Sequence, residues 1–508
     1  MMRAREKSVL ENLGKGMRQM MRIWIGIGIV SLLLACGSSN SGTGQDLGPG
    51  SDGSSDGQED TSVGETSDSA TTDEGADPGP GTDVASETSS SDSGEDVAQD
   101  IGTDAPTTDV GSDTGDPPED VAVDEGSPPG PFTGFPIDVP EANTSNYFFL
   151  WFYGMTVDAE GRVSILWQGT SGADSNFLLS RTNIDVSAFE PADVVDTGFT
   201  GEIGADVITD GTDQLIVWRR DNDAGGDDII FRRGTMPGVI GDDITVFSDN
   251  FGVNNHRPHM ARDPSSGTIV VLWQREQDVV ISRSTDDGLT FSTPPNPVTP
   301  SNLQGFISAV AFNSGGTLVV TFHGSSGGGT TANTVYGLAS DDFGLSFTEA
   351  VDLGAMAGGD GPHLRPSMAP GTDGKVHAVW HRSGQGANKE AFKSSTYDGV
   401  TWDPPTALDH IKYEPYIRAG RGSQIHLSGL NNPPIVDSGT GEEPGVPIYV
   451  SSPNDGLTFG DPAVIPSTET FTIVWTDMAA NLDTGYLHVA WWEYKGNQNK
   501  IRLITVDP

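Results

Sequence analysis

The chain has 508 residues and a formal net charge of −45, from 72 Asp plus Glu against 27 Lys plus Arg. Such a surface repels a phosphate backbone, which excludes nucleic acid as a partner. A single cysteine, Cys36, excludes an intrachain disulfide and a cysteine-built metal site, and 35% hydrophobic residues are too few for a chain folded along its whole length.

Residues 1–36 read as a secretory signal. Lys15, Arg18 and Arg22 precede an apolar run from Ile23 to Leu34 that is too short to span a bilayer comfortably. Met17, Met20 and Met21 are alternative start positions. The ending Leu33-Leu34-Ala35-Cys36 resembles the bacterial lipobox. That resemblance implies lipidation of Cys36, a membrane partner through the lipid, and residence in the cell envelope. With Gly37 next to the cysteine it implies an outer-membrane lipoprotein or one at the cell surface. The alternative is an ordinary signal peptide in which the cysteine is incidental.

From Gly37 to Gly130 there are 24 Asp plus Glu and no Lys or Arg, in a background of Gly, Ser, Thr, Pro and Ala. Too little apolar surface is available to offset the entropy of ordering, so residues 37–130 are expected to form a disordered acidic linker. Calcium chelation or capture of a basic partner is the other use of such a run.

From residue 131 the chain changes to short alternating apolar runs with no helical period. An apolar strand ending in an aromatic recurs at Val163–Trp167, Leu215–Trp218, Ile269–Trp273, Leu318–Phe322, Val376–Trp380 and Leu487–Trp491, with a degenerate copy at Ile425–Gly429. From Trp167 to Trp491 the period averages about 54 residues, the spacing of a four-stranded propeller blade. Residues 131–508 are therefore expected to be an all-β propeller of seven four-stranded blades, with six as the alternative count. The seventh blade lacks a last strand after Ile501–Val506. Phe132–Val139 supplies a matching sequence, so this N-terminal strand is expected to close the ring, which removes two exposed edges.

One octet recurs between these strands. Ser284-Thr285-Asp286-Asp287-Gly288-Leu289-Thr290-Phe291 is repeated as Ser340-Asp341-Asp342-Phe343-Gly344-Leu345-Ser346-Phe347. Looser copies begin at Ser395 and Ser452. An Asp that bonds the backbone ahead and a Gly at positive φ make a turn, and the aromatic can drop between sheets. The octet resembles the Asp-box, or bacterial neuraminidase repeat, of sialidase-type propellers. The resemblance covers residues 131–508 and implies a binding face opposite the Asp-box turns. Sialidase catalytic domains have six blades and an early aromatic-Arg-Ile-Pro signature; here Phe135-Pro136-Ile137-Asp138 lacks the arginine.

On the opposite face, Arg257-Pro258, Arg365-Pro366 and Glu414-Pro415 stand at equivalent distances before their central strands. His256 and His363 lie just before two of them. Arg219, Arg220, Arg275, His323, His381, Arg382 and Glu493 stand at central-strand ends, and Asp477 lies near the start of the seventh blade. Converging arginines grip carboxylates bidentately. Arg257, Arg275, His363, Arg365 and Arg382 are thus the candidate ligand-binding residues. By the sialidase resemblance, Tyr413 with Glu414 would be the nucleophile pair; Glu414, Asp477 and Glu493 are the carboxylates on offer, and Tyr413, Glu414 and Asp477 are the catalytic candidates. The competing role for all of them is in salt bridges between blades.

Other matches lack context. Gly324-Ser325-Ser326-Gly327-Gly328 fits a nucleophile elbow without the strand–turn–helix it needs. His377, His426 and His488 share one strand position, which suggests packing, and the acidic loop from Asp221 to Asp228 lacks the closing Glu of a calcium loop. No metal and no cofactor is expected, and no nucleotide, flavin or haem motif occurs. The expected protein is a monomer that binds glycans or proteins through its loop-rich face; the alternative is an exo-glycosidase of sialidase type.

Overall fold

The computed structural model describes residues 131–507 apart from 141, 143–148, 172–173, 198–203, 223–224, 236–238, 250–254, 327–332, 384–389, 432–444, 468–471 and 496–497. The signal, lipidation and linker expectations fall on residues 1–130, outside the described residues.

The described chain is a seven-bladed β-propeller. In each blade, strands a to d run antiparallel from the central channel outward. The a strands are Phe149–Val157, Ala205–Asp210, Asn255–Arg262, Gln304–Phe312, His363–Pro370, Tyr413–Ala419 and Thr472–Ala480. The only helix among the described residues is one short turn, Leu353–Ala357, capped by Asp352.

Seven apolar clusters occupy the seven seams, each drawn mainly from two adjacent blades. The recurring aromatics Trp167, Trp218, Trp273, Phe322, Trp380 and Trp491 are all fully buried. Burying an indole requires a partner for its N–H. Trp273 donates to Asn255 Oδ1 at 3.0 Å, Trp380 to His363 Nδ1 at 3.0 Å, and Trp167 to Ser180 Oγ at 2.9 Å. The sixth blade dispenses with its aromatic because Ile411 fills the space: a Cβ on Gly429 would meet Ile411 Cγ2 at 2.5 Å.

The ring closes as the sequence suggests. Phe132–Asp138 pairs antiparallel with Gln498–Val506, Phe132 opposite Val506 and Asp138 opposite Arg502. Val139 N donates to Ile501 O at 2.9 Å.

Three of the four octets are turns of one geometry. Ser284 Oγ bonds Asp286 Oδ1 at 2.7 Å and accepts Gly288 N at 2.8 Å, while Asp286 accepts Thr290 N at 2.9 Å. The blade around Ser340 repeats this with Asp342, and the one around Ser452 repeats it with Asn454. The residue before each glycine, Asp287, Phe343 or Asp455, is left-handed, with φ of 57°, 57° and 53°. The fifth-blade turn starts one residue later than its sequence alignment: Thr396, not Ser395, accepts Gly399 N at 2.8 Å, and Ser395 bonds Asp403 instead. That turn omits the left-handed residue, so its hydroxyl sits three residues before the glycine rather than four.

Candidate functional site

Three a strands carry the same bulge near their first residues, where register slips between His256 and His259, Leu364 and Ser367, and Tyr413 and Tyr416. At each bulge a non-glycine residue before a proline is left-handed: Arg257 at φ 50°, Arg365 at 54° and Glu414 at 47°. Such backbone costs on the order of 1–3 kcal/mol and persists only where the surroundings enforce it. Behind Arg257 the backbone of Gly204 packs so closely that a Cβ there would meet Arg257 N at 2.8 Å. Phe306 stands at the equivalent bulge of the fourth blade, in which register slips between Gly305 and Ser308.

These positions come together at one mouth of the channel. Arg365 is ion-paired to Glu414, and its guanidinium lies 5.3 Å over the Trp475 ring, which packs against Tyr416 at 5.5 Å. Phe306 stacks on His323 with centroids 5.7 Å apart, and His381 meets Tyr413 at 4.6 Å. In a regular strand Tyr413 and Glu414 would face opposite ways. The left-handed turn at Glu414 breaks the alternation, and the Tyr413 phenol and Glu414 carboxyl lie close enough to perturb each other's protonation.

The electrostatics follow from burial beside two guanidinium groups. His323 is held down to about 3 by burial, then by Arg257 and Arg365. Burial, reinforced by Arg365, holds His381 well below the usual histidine range. Both rings are neutral at pH 7. Tyr413 is pushed up to about 12 by burial and by Glu414. Burial raises the Glu414 carboxyl as well, against the opposing pull of Arg365, Tyr413 and Arg257.

Of the residues singled out in the sequence, Arg257, Arg365, Tyr413 and Glu414 lie in this mouth with His323 and His381. The others are held elsewhere. His363 is buried as the acceptor for the Trp380 indole. Arg382 is nearly buried between Glu390 and the Gly358 carbonyl, and Arg275 pairs with Asp249 at 2.9 Å. Asp477 is 3% exposed and fully engaged: Oδ1 accepts Arg418 Nη2 at 2.8 Å and Met478 N at 2.7 Å, and Oδ2 accepts Met155 N at 3.1 Å. It ties the sixth, seventh and first blades together. Glu493 is buried against Trp491 and Arg502, and Arg219 and Arg220 pair with Asp221, Asp227, Asp196 and Asp243. Phe306, Tyr416 and Trp475 were not anticipated. Counting back from Phe322 by the Arg257-to-Trp273 interval finds Phe306; its missing proline hid it.

No known protein family matches this sequence. No curated protein does either. Solved structures that resemble the fold include sialidases and polysaccharide lyases. A protein of unknown function from Dyadobacter fermentans aligns at 14% identity over 60% of this chain and 94% of its own, with a TM-score of 0.46. An ulvan lyase of polysaccharide lyase family PL25 aligns at 12% identity over 71% of this chain and 96% of its own, TM-score 0.48. The NanB sialidase of Streptococcus pneumoniae aligns at 11% identity over 74% and 71%, TM-score 0.42. These are distant likenesses of fold; the blade count rests on this chain's own strand pairing.

Proposed function

We propose that the channel mouth around Arg257, Arg365 and His323 binds a carboxylated glycan. The observation that supports this reading is the pair of left-handed Arg-Pro bulges that bring Arg257 and Arg365 near enough to the buried His323 for both charges to keep its ring neutral. Arginine forks suit a sugar carboxylate, and Trp475, Tyr416 and Phe306 offer apolar faces for a sugar ring. The lipobox sequence supports placing this binding face on a lipid-anchored envelope protein, with Cys36 as the anchor.

The test is calorimetric titration of the whole protein with uronate-containing, sialylated and neutral oligosaccharides. Acidic sugars should bind and neutral ones should not, and Arg365→Ala should weaken binding by about tenfold to a hundredfold. Failure of every acidic sugar to bind sinks the proposal.

The contact of Tyr413 with Glu414 and His381 favours a second, catalytic reading. In sialidase-type hydrolysis Tyr413 would attack the anomeric carbon while Glu414 takes the phenolic proton. The acid that this route requires is not supplied by Asp477, which is occupied within the channel wall. Elimination next to an arginine-neutralised carboxylate needs no second carboxylate, because a neutral histidine or tyrosine can move the proton. Following the same titrations for released monosaccharide and for unsaturated, ultraviolet-absorbing product separates the two routes. Turnover abolished in Tyr413→Phe with binding retained makes the mouth an active site; no product of either kind leaves it a binding site.

A further inference from the structure

The opposite face of the ring holds a second cluster, unrelated to the glycan mouth. Asp373 comes from the a–b turn of the fifth blade, His377 from the strand Val376–Arg382 that follows, and Asp455 from the octet turn of the sixth blade. One ligand atom from each lies within 4.8 Å of the others. His377 Nε2 is 3.3 Å from Asp373 Oδ1, and Thr372 Oγ1 bonds Asp455 Oδ1 at 3.2 Å.

The repeats supply internal comparisons for this arrangement. The left-handed turn residue has different surroundings in each of the three octets that possess one. In the third blade Asp287 meets cations of the chain itself, Arg233 Nη1 at 3.6 Å and Arg262 Nη2 at 4.0 Å. In the fourth blade Phe343 sits there and packs on Phe312. In the sixth blade Asp455 meets another carboxylate and an imidazole instead. His377 also differs from its counterparts: His426 bonds Tyr449 and His488 bonds Thr505, with no carboxylate pair at either. Two cations of the chain lie near this seam: Lys375, which pairs with Asp403 at 2.6 Å, and Lys393, whose charged form burial disfavours.

We infer that Asp373, His377 and Asp455 form a site for a divalent transition metal of the zinc class, bridging the fifth and sixth blades. One imidazole nitrogen and two carboxylate oxygens make a borderline donor set that suits zinc better than calcium or magnesium, with water in the fourth position. Bonds of about 2.0–2.1 Å put tetrahedral ligand atoms roughly 3.4 Å apart, so side-chain rotation closes the set. The ion would stabilise the seam as Arg233 and Arg262 do at the third blade.

The whole protein, stripped with a chelator, is titrated with Zn²⁺ against a chromophoric competitor. Excess Mg²⁺ and Ca²⁺ saturate the acidic run of residues 37–130. One tight site per chain is expected, with Tm rising as free zinc rises. Asp373→Asn and Asp455→Asn, both at partly exposed turn positions, should each abolish the tight site and the Tm response, while Lys393→Met should tighten binding. Absence of a tight site, or a tight site indifferent to the two asparagine variants, overturns the inference.

Discussion

Acidification from pH 7 to pH 5 should unfold the propeller. Burial holds His363, His426 and His488 near 4, burial and two arginines hold His323 near 3, and His381 is held well below the usual range. In an unfolded chain the same groups titrate at about 6.5. Below that pH the unfolded state takes up protons that the folded state refuses. The associated stability is fully present above 6.5 and falls steadily as pH drops toward the folded values of 3–4. At pH 5 each such histidine costs on the order of 2 kcal/mol. The four held near 3 or 4 together rival the roughly 5–15 kcal/mol that holds a typical domain folded, and His381 adds in the same direction. Glu414, Asp477 and Asp193, raised by burial, act in the opposite direction as pH falls, but they are three groups against six once His377, also lowered by burial, is counted. Asp342, depressed to about 2, matters only below pH 4. Calorimetric Tm measured from pH 7.5 to 4.5 should fall steeply, and His426→Gln or His488→Gln should each flatten the slope by about a fifth. A Tm indifferent to pH over this range would show that these rings protonate freely in the folded state.

Deleting residues 132–139 should lower Tm by roughly 10 °C and make the protein aggregate. Phe132 and Val139 are buried, at 4% and 0% exposure, and each contributes about 1.5–3 kcal/mol of apolar burial. The deletion also removes the Val139–Ile501 backbone bond and the 2.8 Å contact of Arg502 with Asp138, and it bares the edge of Gln498–Val506. A synthetic peptide covering 131–140 should restore Tm when added in excess. An unchanged Tm after deletion would mean that the seventh blade holds with three strands.

The propeller was legible because its determinants are local and repeated. Each central strand ends in an aromatic that must be buried, each octet encodes its own turn, and the period follows from the two. The sixth blade tested that logic: Gly429 reads as a degenerate copy until Ile411, eighteen residues earlier, is seen filling its place. The mouth was legible only in part. The X-Pro dipeptides and their distance from the central strands mark Arg257, Arg365 and Glu414 as equivalent positions. Nothing in a one-dimensional pattern reveals that these residues are left-handed, which is what brings Tyr413 and Glu414 together. His363 and Arg382 lie within a few residues of the right place, yet their side chains serve Trp380 and Glu390. Side-chain direction, which a one-dimensional pattern does not carry, decides which of these residues face the mouth. The misplaced fifth-blade turn has a similar cause: Ser395 and Thr396 both carry hydroxyls, and only the strand register chooses between them.

The pairing of Phe132–Asp138 with Gln498–Val506 also imposes an order on synthesis. Thr133 bonds a partner 372 residues later. The strand made first must therefore wait, unpaired, while six other blades are built behind it. Contacts of such long sequence separation form late and slowly. For most of its production the chain is an open arc with two bare edges, the state most exposed to aggregation and to proteases. A ribosome stalled within the seventh blade would hold such an arc, with six blades built and still without its clasp.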